Sequence, residues 1–469
     1  MNKISLIVFF LFFMIFKIKA QTVVTIDEVN DIVMKQSNKL KIIDNNFSKA
    51  NIESSFYRIS LLPKMSTSIS FPYQRSISEV IQSDGSQKFI ERNYLNSALN
   101  LTISQALPFT GGSLSLSSSL NNSRDFNNKT SNFSSNWANI SYQQTVNGFN
   151  SYKWNKKLNI LYATKDLIAF AKEKLKLKYD VSKLYLETHL IQLKIDLLKA
   201  DIQKIEGILF ELEEKFKFGR IIKIEVDQTK ITLEQLKNQL EINELEYLSG
   251  IKSLKNIMND ESATTFKLKL VEQEDFIIDK TELKEAIRKN GFELDKIIKL
   301  LESDSNIEKV KKEGAISVNL QFGMGLNSSA NNFSRLYDTP SQSQFVTIGT
   351  KIPILDWGKA KKNYLLAKLE KDNLELDISD KEKKMDEQIE DLSNYKLSLT
   401  AQTKSLTEQL KLSKTIKDMF DELLRLGRKT TSEYKTQLVE TYNINMQYQK
   451  TINSLYLLKL KINEFNLIF

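Results

Sequence analysis

The chain contains no cysteine, a single histidine and five prolines in 469 residues. Each scarcity removes a class of function. Without cysteine there can be no disulfide framework, no Cys-based zinc site and no thiol nucleophile. The lone histidine, His189, cannot form a histidine cluster around a metal, and it lies inside a helical run. We read it as a packing or surface residue of that helix, and assign no catalytic residue, no metal ligand and no cofactor. Few prolines, with an excess of Leu, Lys, Glu and Ile, point to long helices rather than a loop-rich fold.

Long apolar runs are missing too. Beyond the amino terminus, no segment holds the roughly 18 consecutive apolar residues that a spanning helix needs. The first twenty residues, MNKISLIVFFLFFMIFKIKA, have a basic start, an apolar stretch from Ile4 to Phe16 and the small residue Ala20. They read as a secretory signal cleaved after Ala20, although Ile18 stands where a second small residue is preferred. An exported chain without a spanning helix is either soluble or a membrane β-barrel. Net charge is +9, and loss of Lys3, Lys17 and Lys19 with the signal leaves +6 (9 − 3). Spread thinly along helices, that charge makes a solvated surface rather than a nucleic-acid footprint.

What the chain does have is a copy of itself. The segment from Asp27, DEVNDIVMKQSNKLKII, lies over TELKEAIRKNGFELDKI from Thr281 at an offset of 254 (281 − 27). Further on, FKFGRIIKIEV (Phe216 to Val226) matches LRLGRKTTSEY (Leu424 to Tyr434) at an offset of 208 (424 − 216). Gly219 and Arg220 then pair with Gly427 and Arg428, and Glu225 with Glu433. The two offsets differ by 46 (254 − 208), so the first half carries that many extra residues between Pro63 and Thr145. The repeat is too long for a solenoid unit and reads as a duplicated half-domain.

Each half runs helix, strands, helix, helix. Ile316, Val318, Leu320, Phe322, Met324 and Leu326 alternate with small or polar residues, as do Met65, Thr67, Ile69 and Phe71 in the first half. Such alternation gives one apolar and one polar face, the pattern of a half-buried strand or of a lipid-facing barrel with a wet lumen. The extra residues hold two more alternating runs around PFTGG, which read as an added hairpin. We expect a polar loop over Ser118 to Asn136. The expected boundaries are a first repeat over 21–258, a connecting segment over 259–280 and a second repeat over 281–469. Strands are expected within 64–147 and at 315–327 and 343–353. Long helices are expected over 150–217, 224–258, 358–426 and 431–467, and two about half as long as the first and third of these from Ile26 to about Leu62 and from Thr281 to about Lys312. Each of the first and third long helices would span on the order of 100 Å, and two half-length helices end to end would match one of them.

With these features in order, the chain resembles the outer membrane efflux proteins of the TolC type. The resemblance rests on TIDEVNDIVMKQSNKL and its copy, Pro63 before a strand, PILDWGKAKK (Pro353 to Lys362) opening a long helix, and the turns at Gly219 and Gly427. It implies an α+β membrane protein that acts as a homotrimer. Three chains would close a transmembrane β-barrel of twelve strands in outer-membrane lipid, or eighteen if the extra hairpin enters the wall. The barrel would continue as a periplasmic α-helical barrel. The implied job is that of a passive exit duct in a tripartite efflux or type I secretion system, fed by an inner-membrane transporter through a periplasmic adaptor protein. No enzymatic step is implied.

Under that resemblance, Gly219, Arg220, Gly427 and Arg428 form the tip turns that meet the adaptor, although each glycine could equally serve only to end its helix. Glu225, Asp227 and Glu433 are candidate entrance charges, or ordinary charges of a helix surface. Phe149, Pro353, Asp356 and Trp357 mark the joints where strand becomes tunnel helix, with Asp356 as an N-cap and Trp357 as an interfacial anchor. The alternative is a periplasmic adaptor with one coiled-coil hairpin, which the duplicated strands disfavour.

Overall fold

The computed structural model describes residues 23–261, 266–272, 275–426 and 428–465. In chain order the elements are β1 (Val23–Val24), α1 (Ile26–Gln36), α2 (Asn38–Ser60), β2 (Lys64–Ser70), β3 (Tyr73–Ile81), β4 (Gln87–Leu107), β5 (Gly112–Asp125) and β6 (Thr130–Val146). There follow α3 (Ser151–Lys217), α4 (Lys223–Met258), β7 (Lys267–Leu268), α5 (Lys280–Ile287), α6 (Glu293–Glu313), β8 (Ser317–Ala330), β9 (Ser341–Lys351), α7 (Lys359–Arg425) and α8 (Thr431–Phe465). The expected secretory signal lies outside the described residues. Helices α3 and α7 are 67 residues each. No described helix is long and apolar enough to cross a membrane.

The chain divides into two compact units. One is drawn from Met1–Phe47, Leu167–Phe292 and Glu382–Phe469, and two of its cores correspond position by position at the offsets of the sequence repeat. One of its cores holds Val29, Leu177, Val181 and Leu254. A second holds Leu283, Met385, Ile389 and Ile462, the same four positions displaced by 254 (283 − 29) or by 208 (385 − 177, 389 − 181, 462 − 254). Val29, Val181 and Leu254 are wholly buried, and each such side chain contributes about 1.5–3 kcal/mol through burial.

The two shorter helices are not continuous. Thr25 and Glu28 form a reciprocal capping box at the start of α1, with Glu28 N donating to Thr25 Oγ1 (3.2 Å) and Thr25 N to Glu28 Oε2 (2.8 Å). The helix then stops at Ser37, whose ψ of 139° is extended. Its copy, α5, stops before Gly291, at φ 151°. Ser37 and Gly291 are equivalent (291 − 37 = 254), so the break belongs to the repeat. The preceding side chain fixes it in both halves. Gln36 Nε2 donates to the carbonyl of Met258 (3.0 Å) and Asn290 Nδ2 to that of Phe465 (2.8 Å), each satisfying the end of a later helix. Apolar periodicity on both sides of the break hides it from a reading by pattern alone.

The expected connecting segment carries β7, which pairs in parallel with β1. The pair is fastened to α3 by Tyr185, fully buried, whose hydroxyl donates to the carbonyl of Val24 (2.7 Å) and accepts from Lys269 N (2.8 Å). Gln192 does the same one turn pair further on, donating to the carbonyl of Leu268 (3.1 Å) and accepting from its amide (2.9 Å).

The other unit, Ser48–Asp166 and Glu293–Lys381, holds one antiparallel sheet in the order β2-β4-β5-β6-β8-β9, with β3 also on β4. Seven strands are hydrogen-bonded, but β2 and β3 lie end to end on the same edge of β4 in one continuous register (Ser70↔Ala98, Tyr73↔Leu95). Pro72, which has no N–H, separates them, and its carbonyl accepts from Asn96 N (2.9 Å). Six strands therefore stand side by side. The inserted hairpin enters the sheet between the two strands that the repeats share, so the four strands implied by the resemblance are six here. The expected polar loop over Ser118 to Asn136 is corrected as well. Ladder pairing on both sides continues β5 to Asp125 and restarts β6 at Thr130. Only Phe126–Lys129 turns, with Asp125 Oδ1 accepting from Asn127 N (2.8 Å) and Lys129 at φ 54°.

Candidate channel wall and helix turns

The sheet's chemistry follows from its register. Residues directly opposite one another share a face. One row across all six strands reads Met65, Ile103, Leu116, Ile140, Met324, Gln344. The neighbouring row reads Ser66, Thr102, Ser117, Asn139, Gly325, Ser343. The apolar row is open within the chain: Met65 is 68% exposed, Ile140 48% and Met324 49%. An uncovered apolar face six strands wide requires a covering medium, and the alternation with hydroxyls, amides and glycine is that of a wall between lipid and water.

Aromatic residues collect at the end of this face away from the helix joints. Tyr73 meets Phe126 edge-on at 6.3 Å, and Phe333 of the β8–β9 loop contacts Phe133 at 5.7 Å and Tyr337 at 6.3 Å. Trp137 packs on Tyr337 at 5.2 Å and donates its indole N–H to Ser328 Oγ (3.0 Å). Trp137 is the extra residue of a bulge, since Asn136 pairs with Asn327 and Ala138 with Leu326. An amphipathic aromatic cluster at one border of an apolar band suits a lipid–water boundary.

The helix turns lie in the other unit. At the end of α3, Gly219 takes φ 66°, and Arg220 N donates to the carbonyl of Lys215 (2.9 Å), the six-to-one bond of a Schellman cap. A side-chain carbon at Gly219 would meet nothing within 4 Å inside the chain. Backbone conformation, not packing, sets the need for glycine there. Arg428 N makes the same bond to the carbonyl of Leu423 (2.9 Å). Its neighbour Gly427 lies outside the described residues.

The two turns then diverge. Thr430 and Glu433 form a capping box at the start of α8, with Glu433 N donating to Thr430 Oγ1 (3.3 Å) and Thr430 N to Glu433 Oε2 (2.9 Å). The Lys429 ammonium (2.7 Å) and then the Thr430 groups pull the Glu433 carboxyl down to about 2. The equivalent of Thr430 is Ile222 (430 − 208), which offers no side-chain cap to α4. Glu225 is half-buried and Asp227 exposed. Phe218, Ile222 and Ile224 are all 60% exposed or more, so the first turn is apolar and the second polar.

No protein-family model matches the chain, and no curated protein does. Solved structures do. The CmeC outer membrane channel of Campylobacter jejuni superposes with a TM-score of 0.68 at 16% identity, over 94% of this chain and 85% of that one. The outer membrane protein VceC of Vibrio cholerae gives 0.63 at 11% identity, over 94% and 96%. The open MtrE channel of Neisseria gonorrhoeae gives 0.59 at 13%, over 94% and 88%. The chain has the fold of the TolC-type outer-membrane channels.

In this TolC-type fold the joints of strand and helix are built differently in the two halves. In the second, β9 ends at Lys351, and Pro353 lies in the exposed extended segment that follows. Asp356 accepts from the amides of Gly358 (2.9 Å) and Ala360 (2.8 Å) and so caps α7 from one turn back. Trp357 is 85% exposed and takes φ 55°, a left-handed conformation uncommon for a bulky side chain. In the first half, Asn150 Oδ1 accepts from Lys153 N (3.2 Å), Asn147 takes the left-handed turn at φ 61°, and Phe149 is half-buried. Among the described residues no group of three or more His, Cys, Asp or Glu could hold a metal. His189 is buried, and burial pushes its pKa below the ordinary 6.5.

Proposed function

We propose that three copies of this chain close one barrel in the outer membrane and form the exit duct of a tripartite efflux or type I secretion system. One observation carries the reading. One face of the sheet is mostly apolar and the other mostly polar, yet among the described residues its edge strands β2 and β9 have no partner on their outer sides. Unpaired edges in lipid are costly, because each unsatisfied backbone group there costs several kcal/mol. Pairing β9 of one copy with β2 of the next removes every edge. Three chains of six strands then give eighteen (3 × 6).

Cargo would be conducted passively. The duct supplies a hole, and the work is done by an inner-membrane pump that reaches it through a periplasmic adaptor. The helices stand in the periplasm, and the turns at Gly219-Arg220 and Gly427-Arg428 meet the adaptor. The apolar first turn provides contact area, and the second is held by its cap. Because Glu433 is engaged as a capping group, Glu225 and Asp227 are the better candidates for charges at the entrance.

The test is extraction and assembly. The chain should sediment with outer membranes, need detergent for release, crosslink as a trimer, and copurify with an adaptor and a pump. A mature chain that is monomeric and soluble without detergent overturns the proposal.

A further inference from the structure

We infer, building on the three-copy closure proposed above, that neighbouring copies join in one register, with Ile69 of one copy opposite Ile348 of the next. The partner at this seam is a second copy of the chain, and three constraints fix how it sits. The first is hydrogen bonding. Asn96 N donates to the carbonyl of Pro72 (2.9 Å), so even-numbered residues along β2 and β3 turn their backbone groups toward β4. Odd-numbered ones turn outward. The missing N–H of Pro72 therefore lies on the β4 side, and the outer edge runs unbroken from β2 into β3. Backbone groups point alternately to the two sides of a strand. Carried through the registers of β4, β5, β6 and β8, that alternation leaves the even-numbered residues of β9 facing outward. Both outward sets, with Met65, Thr67, Ile69 and Phe71 on one strand line and Val346 and Ile348 on the other, lie on the mostly apolar face. Pairing them satisfies both edges and keeps each face continuous.

The second constraint is stagger. The row that starts at Met65 ends at Gln344, and closing a barrel displaces the next copy's Met65 along β9 from that point. Displacement toward the start of β9 meets no strand, because four residues already reach Pro340 (344 − 4), before Ser341. Toward its end, four, six, eight or ten residues per copy give strand tilts of roughly 25°, 35°, 43° and 49°. Barrels take about 35–45°. Met65 therefore faces Thr350 (344 + 6) or Ile352 (344 + 8).

Side chains decide between these two. At six, Lys64 faces Lys351 and Phe71 faces Gln344. At eight, Lys351 faces Ser66, while Thr67 meets Thr350, Ile69 meets Ile348 and Phe71 meets Val346. Like charges directly opposite are destabilising, whereas Thr–Thr and aromatic–β-branched pairs are favourable. Ile69, Phe71, Val346 and Ile348 are each at least 60% exposed within the chain, and the eight-residue stagger brings them together. All eleven residues of β9 are then paired, with Ser66 to Ser76 of the next copy. The closed barrel has a total stagger of 24 residues (3 × 8) over its eighteen strands (3 × 6).

The cysteine-free chain makes the test direct, because the introduced thiols are the only ones. Ser70→Cys with Thr347→Cys places two thiols opposite each other across the seam on a non-hydrogen-bonded pair, with Cα atoms about 4.5 Å apart. Ser68→Cys with Thr347→Cys is the matching pair for the six-residue stagger. In the register inferred here it is diagonal at about 7–8 Å, beyond the usual disulfide reach of about 7 Å. Ser66→Cys with Lys351→Cys, against Lys64→Cys with Lys351→Cys, repeats the comparison at the other end of the seam. Because β2 and β9 are opposite edges of one sheet, each of these disulfides joins two copies. The full-length variants are oxidised in outer membranes and run on non-reducing gels. Ser70→Cys/Thr347→Cys and Ser66→Cys/Lys351→Cys should form covalent trimers at least about tenfold faster than their matching pairs. Faster linkage of the matching pairs, or equal rates, would overturn the register and leave the three-copy closure standing. If none of the four pairs links in variants that sediment with the outer membrane, the two edges do not meet. The closure itself has then failed, which is a distinct result.

Discussion

Leu116 and Ser117 are adjacent in β5, yet an arginine should have opposite consequences at the two. Leu116 stands between Ile103 and Ile140 in the apolar row, 41% exposed within the chain. Ser117 stands between Thr102 and Asn139 in the polar row. At the middle of a barrel wall, an arginine on the lipid face costs about 2–4 kcal/mol, whereas one in a wet lumen costs little. Leu116→Arg should therefore lower the folding equilibrium by about 30- to 700-fold per chain, at a factor of ten for each 1.4 kcal/mol. Three copies per assembly raise the cost to about 6–12 kcal/mol. Ser117→Arg should stay within about 1 kcal/mol of the parent chain. The measurement is the guanidinium midpoint of the assembled protein in vesicles, followed by its change in gel mobility on unfolding. The reasoning fails if Ser117→Arg costs as much as Leu116→Arg, because the two faces would then not be what the register makes them.

Further outcomes can be measured in the helical unit. Gly219→Ala should cost about 1–2 kcal/mol, the strain of a left-handed alanine, while Gly207→Ala, mid-helix with open space around it, should stabilise by up to about 1 kcal/mol; equal effects in thermal melts would refute the cap. Tyr185→Phe removes the buried hydroxyl between Val24 and Lys269 and should cost about 1–3 kcal/mol, read as faster amide exchange at Lys269. Lys417→Met leaves Asp201, paired with it at 2.8 Å and mostly buried, without its cation. That should cost about 1–3 kcal/mol and be largely recovered by adding Asp201→Asn, and a simple sum of the two losses would count against the pairing. His189 should titrate below 6.5 as the only imidazole signal in the NMR spectrum. With its folded pKa depressed, the stability linked to its neutral form is full above about 6.5 and falls as pH drops toward the lower folded value.

The strands and long helices were legible because each repeats a simple period over a long stretch. Alternation at Ile316 to Leu326 names β8 without any knowledge of its neighbours, and unbroken helical patterning places α3 and α7 within a residue or two. What could not be read were features decided between elements. The stretch Ser118 to Asn136 has no apolar alternation of its own beyond Leu120, so its polarity reads as loop. It forms strand because β4 and β8 offer ladders on either side and because the polar face of the sheet has no need of apolar residues. The breaks at Ser37 and Gly291 posed the same difficulty. Helical spacing continues across both, and only the aligned halves show two poor helix formers in one place, each following a side-chain amide. That amide reaches the end of a helix more than 170 residues later (258 − 36 = 222; 465 − 290 = 175), a distance at which no local pattern speaks. Duplication is what makes such a contact recoverable. A tertiary hydrogen bond that appears once in a sequence is indistinguishable from a surface amide, but one kept at both copies of a position, beside a break kept at both copies, marks the repeat's own closing contact. Gln36→Ala and Asn290→Ala should accordingly loosen the same joint in the two halves, with matching losses of amide-exchange protection at the ends of α4 and α8.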